Sequence, residues 1–173
     1  FLWQNGTMTD LGTLGGTSAA AHGINNAGQV AGISRPAAGG FRGFVWQNGI
    51  MTDLGVSVTV ADRLAINELG QIVGSAAFGS SRHAFSWQNG TPIDLGALPG
   101  YVRSAALAVN DVGQVVGFSS DSRLLDVRAT LWQNGTIIDL DPTGSSSRAI
   151  AVNDAGQVLV NGGGGAFIWQ NGI

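Results

Sequence analysis

Trp-Gln-Asn-Gly occurs five times in this chain, at Trp3–Gly6, Trp46–Gly49, Trp87–Gly90, Trp132–Gly135 and Trp169–Gly172, and it accounts for all five tryptophans. The copies recur roughly every forty residues, a period that signals repeated supersecondary units. Each is preceded by an alternating pair of outward and inward residues, Phe1-Leu2, Phe44-Val45, Phe85-Ser86, Thr130-Leu131 and Phe167-Ile168. Residues two apart share one face of a strand, so the Phe (or Thr130) and the Trp point the same way. Asn-Gly is the strongest two-residue hairpin signal, because a type I′ turn needs positive φ at both central positions. The return strand should then run over Thr7–Leu11, Ile50–Leu54, Thr91–Leu95 and Thr136–Leu140, each carrying one aspartate near its end: Asp10, Asp53, Asp94 and Asp139.

A second hairpin follows each connector. Its first arm ends in Gly23-Ile24-Asn25, Ala65-Ile66-Asn67, Ala108-Val109-Asn110 or Ala151-Val152-Asn153, and its second arm starts at Gln29, Gln71, Gln114 or Gln157. Between them lie Gly28, Gly70, Gly113 and Gly156, suited to a left-handed turn position. Two hairpins per unit of about 43 residues is the content of a β-propeller blade. The chain has no lysine and a single glutamate, Glu68, and charged residues make up 11 %, so the usual coating of exposed helices is missing. We therefore expect an all-β, β-propeller-like domain over 1–173. It would hold about four blades of four antiparallel strands, in units starting near 1, 44, 85 and 130 with a partial fifth at 166–173.

These residues resemble the bacterial extracellular His-Ala-Phe (HAF) repeat family, through His83-Ala84-Phe85-Ser86-Trp87, Asp10-Leu11-Gly12-Thr13-Leu14-Gly15-Gly16 and Asn110-Asp111-Val112-Gly113-Gln114-Val115-Val116-Gly117. The resemblance implies tandem repeats in secreted or cell-surface proteins and brings no catalytic motif with it. The tripeptide's His becomes Arg42, Arg128 and Gly165 in other copies, so no ring of histidines is expected. A start at Phe1 suggests processing, or a piece of a longer chain.

The ends invite a closure. Phe1–Leu11 reads as the outer half of a blade and Ser147–Val160 as an inner half, which together would complete a fourth blade. One strand is then superfluous, since Phe1–Trp3 and Phe167–Trp169 compete for one slot, and the spare edge could pair with another chain.

A net charge of −3 with eight scattered arginines gives no basic stripe for nucleic acid, and no apolar run is long enough to span a bilayer. Without cysteine there are no disulfides or thiolate metal sites. No cofactor or metal is expected: the repeated aspartates could face a cation, but capping of strand ends is the plainer role. The tryptophans could stack on sugar rings, yet a Trp in every copy at one strand position suits packing between blades. Candidate ligand contacts are the residues four before each Trp, Arg42, His83 and Arg128, as a cationic rim for an acidic glycan. To these we add residues that break the repeat: His22 (against Leu64, Leu107 and Ile150), Asp62 (against Ala20, Ala105 and Arg148) and the single tyrosine, Tyr101. With His22 and His83 the only imidazoles and no catalytic spacing, an enzyme is not expected. The leading expectation is an extracellular binding or scaffolding module for glycan or a surface protein. Its rival is a structural repeat that self-assembles through edge strands into rings or filaments, and the third is a polysaccharide hydrolase or lyase.

Overall fold

The computed structural model describes residues 1–142 and 146–172, and the described residues contain strands and turns but no helix. No helix is therefore long and apolar enough to cross a membrane. The Asn-Gly pairs turn as their sequence dictates. Asn48, Asn89 and Asn134 take φ of 50, 54 and 51°, and each following glycine is also positive, as two-residue primed turns require.

A short hairpin, β1 (Leu2–Gln4) and β2 (Thr7–Thr9), opens the chain. The first sheet follows, in the order β3 (Gly15–Ile24), β4 (Val30–Pro36), β5 (Phe41–Gln47) and β6 (Ile50–Val58). The second sheet comprises β7 (Ala65–Ile66), β8 (Ile72–Phe78), β9 (Ser81–Gln88) and β10 (Thr91–Gly96). The third comprises β11 (Arg103–Val109), β12 (Val115–Ser120), β13 (Val127–Gln133) and β14 (Thr136–Asp139). A fourth, of β15 (Arg148–Val152), β16 (Val158–Gly162) and β17 (Gly165–Trp169), ends the described chain. Each four-stranded unit is an antiparallel meander that starts at the Ile-Asn or Val-Asn arm and ends at the Asp-bearing strand. The second and third sheets touch through one parallel bridge, Arg103 with Arg82.

The expected closure does not form. β1 pairs with β2 alone, while β17 occupies the third-strand slot beside β16. The physical reason is distance along the chain: β17 reaches β16 across a tight turn between Gly162 and Gly165, whereas β1 would have to close a loop of nearly the whole chain. β1 instead keeps its local partner across the Asn5-Gly6 turn. Ile173, where the fifth copy stops, lies outside the described residues.

Apolar clusters fill the junctions between successive units. Leu11, Val30, Phe44 and Trp46 join the opening hairpin to the first sheet. Leu54, Val56, Leu64, Ile72 and Phe85 join the first to the second, with Trp87 packed against them. Val73, Ala84, Ala106, Val115 and Trp132 join the second to the third. Val116, Leu131, Ala149, Val158 and Val160 join the third to the fourth, with Trp169 alongside. Trp46 and Trp132 are buried, whereas Trp3, in the opening hairpin, is 67 % exposed.

Polar stitching runs through the same junctions. Asn25 Nδ2 donates to the backbone carbonyl of Asn67 at 3.0 Å, Asn67 Nδ2 to that of Asn110 at 2.8 Å, and Asn110 Nδ2 to that of Asn153 at 2.8 Å. In parallel, the amides of Asn26, Glu68 and Asp111 donate to the carboxylates of Glu68, Asp111 and Asp154. Each of these three junctions thus carries one side-chain amide bond, buried in the first two and part-buried in the third, and one exposed charge-assisted bond, both in register with the repeat.

Candidate functional site

The repeated polar residues are largely occupied by one another. Asp10, Asp53, Asp94 and Asp139 each accept the backbone amide two residues on, from Gly12, Gly55, Gly96 and Asp141, at 2.8–2.9 Å. Gly55 and Gly96 sit at positive φ where the strand is re-aimed. Across the hairpin, Arg42 Nε lies 3.1 Å from Asp53 and His83 Nδ1 2.9 Å from Asp94. Arg128 contacts Asp126 at 3.3 Å and Asp139 at 4.0 Å and donates to the Asp141 carbonyl at 2.9 Å. Tyr101 joins that last group, its hydroxyl donating to Asp126 at 2.8 Å, and burial together with that bond pushes the phenol pKa up. A ligand at Arg42, His83 or Arg128 would have to displace a carboxylate already in place. Among the described residues no group of three or more potential ligand side chains forms a cation site.

Residues that depart from the repeat behave differently. β7 is two residues long because the connector before it turns at Asp62, whose amide bonds the Thr59 carbonyl. The Asp62 carboxylate is folded inward, with 10 % of the side chain exposed, and accepts from Thr59 N, Ser75 Oγ and Arg82. That connector, leading into β7, forms one wall of a cavity of about 420 Å³ that runs from the second sheet past the third to the start of the fourth. Four arginines line it: Arg63, Arg82, Arg103 and Arg148. Arg82 is paired with Asp62, and Arg148 lies over the Phe118 ring at 4.1 Å. Arg63 and Arg103 make no ion pair among the described residues. Ser120, fully buried in the wall, has a hydroxyl without a hydrogen-bond partner among the described residues.

His22 stands in an adjoining cavity of about 490 Å³ that shares Arg63 and Leu107 with the first. Its Nδ1 accepts the Leu64 amide at 3.2 Å, which places the ring proton on Nε2. Burial first, and then the Arg63 charge, lower its pKa below the ordinary imidazole value, opposed by Asp62. The ring is therefore held neutral.

The structure thus brings Asp62 and His22 to neighbouring cavities, leaves Arg42 and His83 each in its own hairpin pair, and gathers Arg128 and Tyr101 on Asp126. Sequence reading by spacing passed over Arg63, Arg82, Arg103 and Ser120, and used Arg148 only as the counterpart of Asp62. A signal for the arginines was present. Arg63 stands against Ala21, Ala106 and Ala149, Arg103 against Ser18, Val60 and Ser146, and Arg82 against Phe41, Val127 and Gly164. The test that singled out Asp62 selects all of them.

No family model matches the chain, and no curated protein does. Among solved structures it is similar to TolB from Acinetobacter baumannii, with a TM-score of 0.56 and 11 % identity over 83 % of this chain and 40 % of that one. A gluconolactonase from Xanthomonas campestris aligns with a TM-score of 0.47 and 14 % identity, over 84 % of this chain and 54 % of that one. At such identities the likeness speaks to fold and not to activity, and this chain spans well under two thirds of either. TolB is a β-propeller protein. The fold is accordingly an all-β, β-propeller-like array of repeated sheets whose ends stay apart.

Proposed function

We propose that the array is a recognition or scaffolding module of the His-Ala-Phe repeat kind, acting outside the cell or at its surface, with glycan or a surface protein as its ligand. The observation that carries this reading is the cavity beside β7: it is built from residues that break the repeat, on a framework whose repeated polar groups are already satisfied by each other. Connecting segments on a rigid scaffold are where binding residues concentrate. Ser75 Oγ donates to Asp62 at the cavity, but the Thr59 amide and Arg82 hold the same carboxylate as a structural acceptor, so the reading is binding and not turnover. Leu107, 36 % exposed, lies in the walls of both cavities, and Leu107→Trp would fill them without touching the junction cores. On an immobilised panel of glycans and cell-surface proteins, the unaltered chain should retain at least one ligand, and Leu107→Trp should weaken it by about tenfold or more, near 1.4 kcal/mol. Equal retention by the two proteins, or none by either, would refute the reading.

One observation favours the rival, self-assembly: the outer edge of β17 has no strand beside it among the described residues, and Ile168 on it is 62 % exposed. Light scattering that shows a monodisperse monomer across a wide concentration range removes that rival.

A further inference from the structure

We infer that the cavity beside β7 takes an acidic oligosaccharide, one that carries two or more carboxylate or sulfate groups on neighbouring sugars. This rests on the recognition reading above and gives it a ligand class.

The chain is acidic overall, at −3, and has only eight cationic side chains besides its histidines, yet four of them line one cavity. Gathering like charges raises the energy of the folded chain unless something compensates them. Inside the cavity Asp62 compensates one, Arg82. The charges of Arg63, Arg103 and Arg148 remain, and Arg148 is braced on Phe118 so that its plane is fixed while its edge is available to a ligand.

The repeat points the same way. A cation required for building the sheets would recur, as the Arg42, His83 and Arg128 position does, each copy opposite an aspartate. None of the four cavity arginines recurs at its own position. They come from three successive units and converge anyway. An independent sign of a ligand is Ser120, whose buried hydroxyl sits unpartnered in the same wall. A buried hydroxyl is costly to leave unsatisfied, which marks this wall as short of one polar partner.

A saccharide fits better than an acidic peptide. An extended peptide gains affinity by pairing its backbone with a free strand edge. Here the Arg103–Arg82 bridge already joins the backbones of β11 and β9 at the cavity. What is left to bind with is guanidinium forks from successive units, which suit acidic groups recurring along a polymer, together with Leu107 as an apolar surface for sugar C–H groups.

Calorimetric titration tests this with four probes of equal size: a tetra-uronate, a sulfated tetrasaccharide, a neutral tetrasaccharide and a glutamate-rich peptide. The acidic saccharides should bind, more weakly at 300 mM than at 50 mM salt, and whichever of the two binds tighter identifies the acid. Arg103→Gln and Arg148→Gln should each weaken binding by about tenfold and the pair by about a hundredfold. Arg35→Gln, which removes the same charge from an exposed position near the end of β4 in the first sheet, should leave affinity unchanged. Circular dichroism melting of each variant confirms that it is folded. If the neutral sugar binds as well as the acidic ones and the arginine variants bind normally, the inference falls while recognition at the cavity stands. Preference for the peptide would also overturn it. If none of the four binds and the panel above is likewise blank, both readings fall.

Discussion

Trp132→Ala should destabilise the chain by about 3–5 kcal/mol, and Trp3→Ala by no more than about 0.5 kcal/mol, although the two residues hold the same place in the repeat. Trp132 is 4 % exposed and fills the junction between the second and third sheets with Val73, Ala84, Ala106 and Val115. Removing its indole leaves a void that strands fixed by their own ladders cannot close. Trp3 meets solvent over two thirds of its surface, so its removal opens no cavity. For a chain of this size, 1 kcal/mol corresponds to about 2–4 °C in Tm, so the expected loss for Trp132→Ala is about 6–20 °C by thermal melting. Among the described residues the indole nitrogen of Trp132 is buried without a partner, as is that of Trp87, so the residue serves by volume and not by its N–H. In an array where each unit touches only its neighbours, one weakened junction loosens everything beyond it. Comparable melts for the two variants would mean that the tryptophans do not wedge between units.

The second large effect is expected at the asparagine ladder. Asn67 is 5 % exposed, and its side chain accepts the Gln71 and Leu69 amides while donating to the Asn110 carbonyl. Asn67→Ala leaves the Gln71 amide without its acceptor and cuts one tie between neighbouring units. A buried polar group stripped of its partner costs about 1–3 kcal/mol, and several lose partners here, so the upper part of that range is expected, or about 4–12 °C in Tm. Asn153→Ala supplies the contrast. Asn153 makes the same local bonds to Ala155 and Gln157 but is exposed and, among the described residues, reaches no further unit. It should cost half as much or less, and equal losses would show that the asparagines act only within their own turns.

Much of the architecture was legible in the sequence because it is written several times over. The Asn-Gly turns and the left-handed glycines follow from local chemistry, whereas the start of each sheet at the Asn arm and its end at the Asp strand is set by which hairpins pair in three dimensions. The closure of the ends was not legible. Matching strands at Phe1–Trp3 and Phe167–Trp169 say that either could fill the slot, but not which pairing the chain reaches first, and β16 takes its sequence neighbour. The ladder was half visible: Asn as turn opener could be read, but a bond to the carbonyl 42 or 43 residues on depends on how units stack.

The site was least legible, because spacing draws the eye to what recurs. Arg42, His83 and Arg128 recur and are held by aspartates, whereas Arg63, Arg82, Arg103 and Arg148 each occur once and meet only in three dimensions. In a repeat protein the residues that build the framework and those that address a ligand are thus separated by their periodicity.

That separation presupposes units stacked in register, and side-chain amide hydrogen exchange measured by NMR probes the stacking directly. The Nδ2 protons of Asn25, Asn67 and Asn110 should exchange far more slowly than those of Asn153, since three are buried between units and the fourth is open to water. Four asparagines exchanging at one common fast rate would contradict the stacked array.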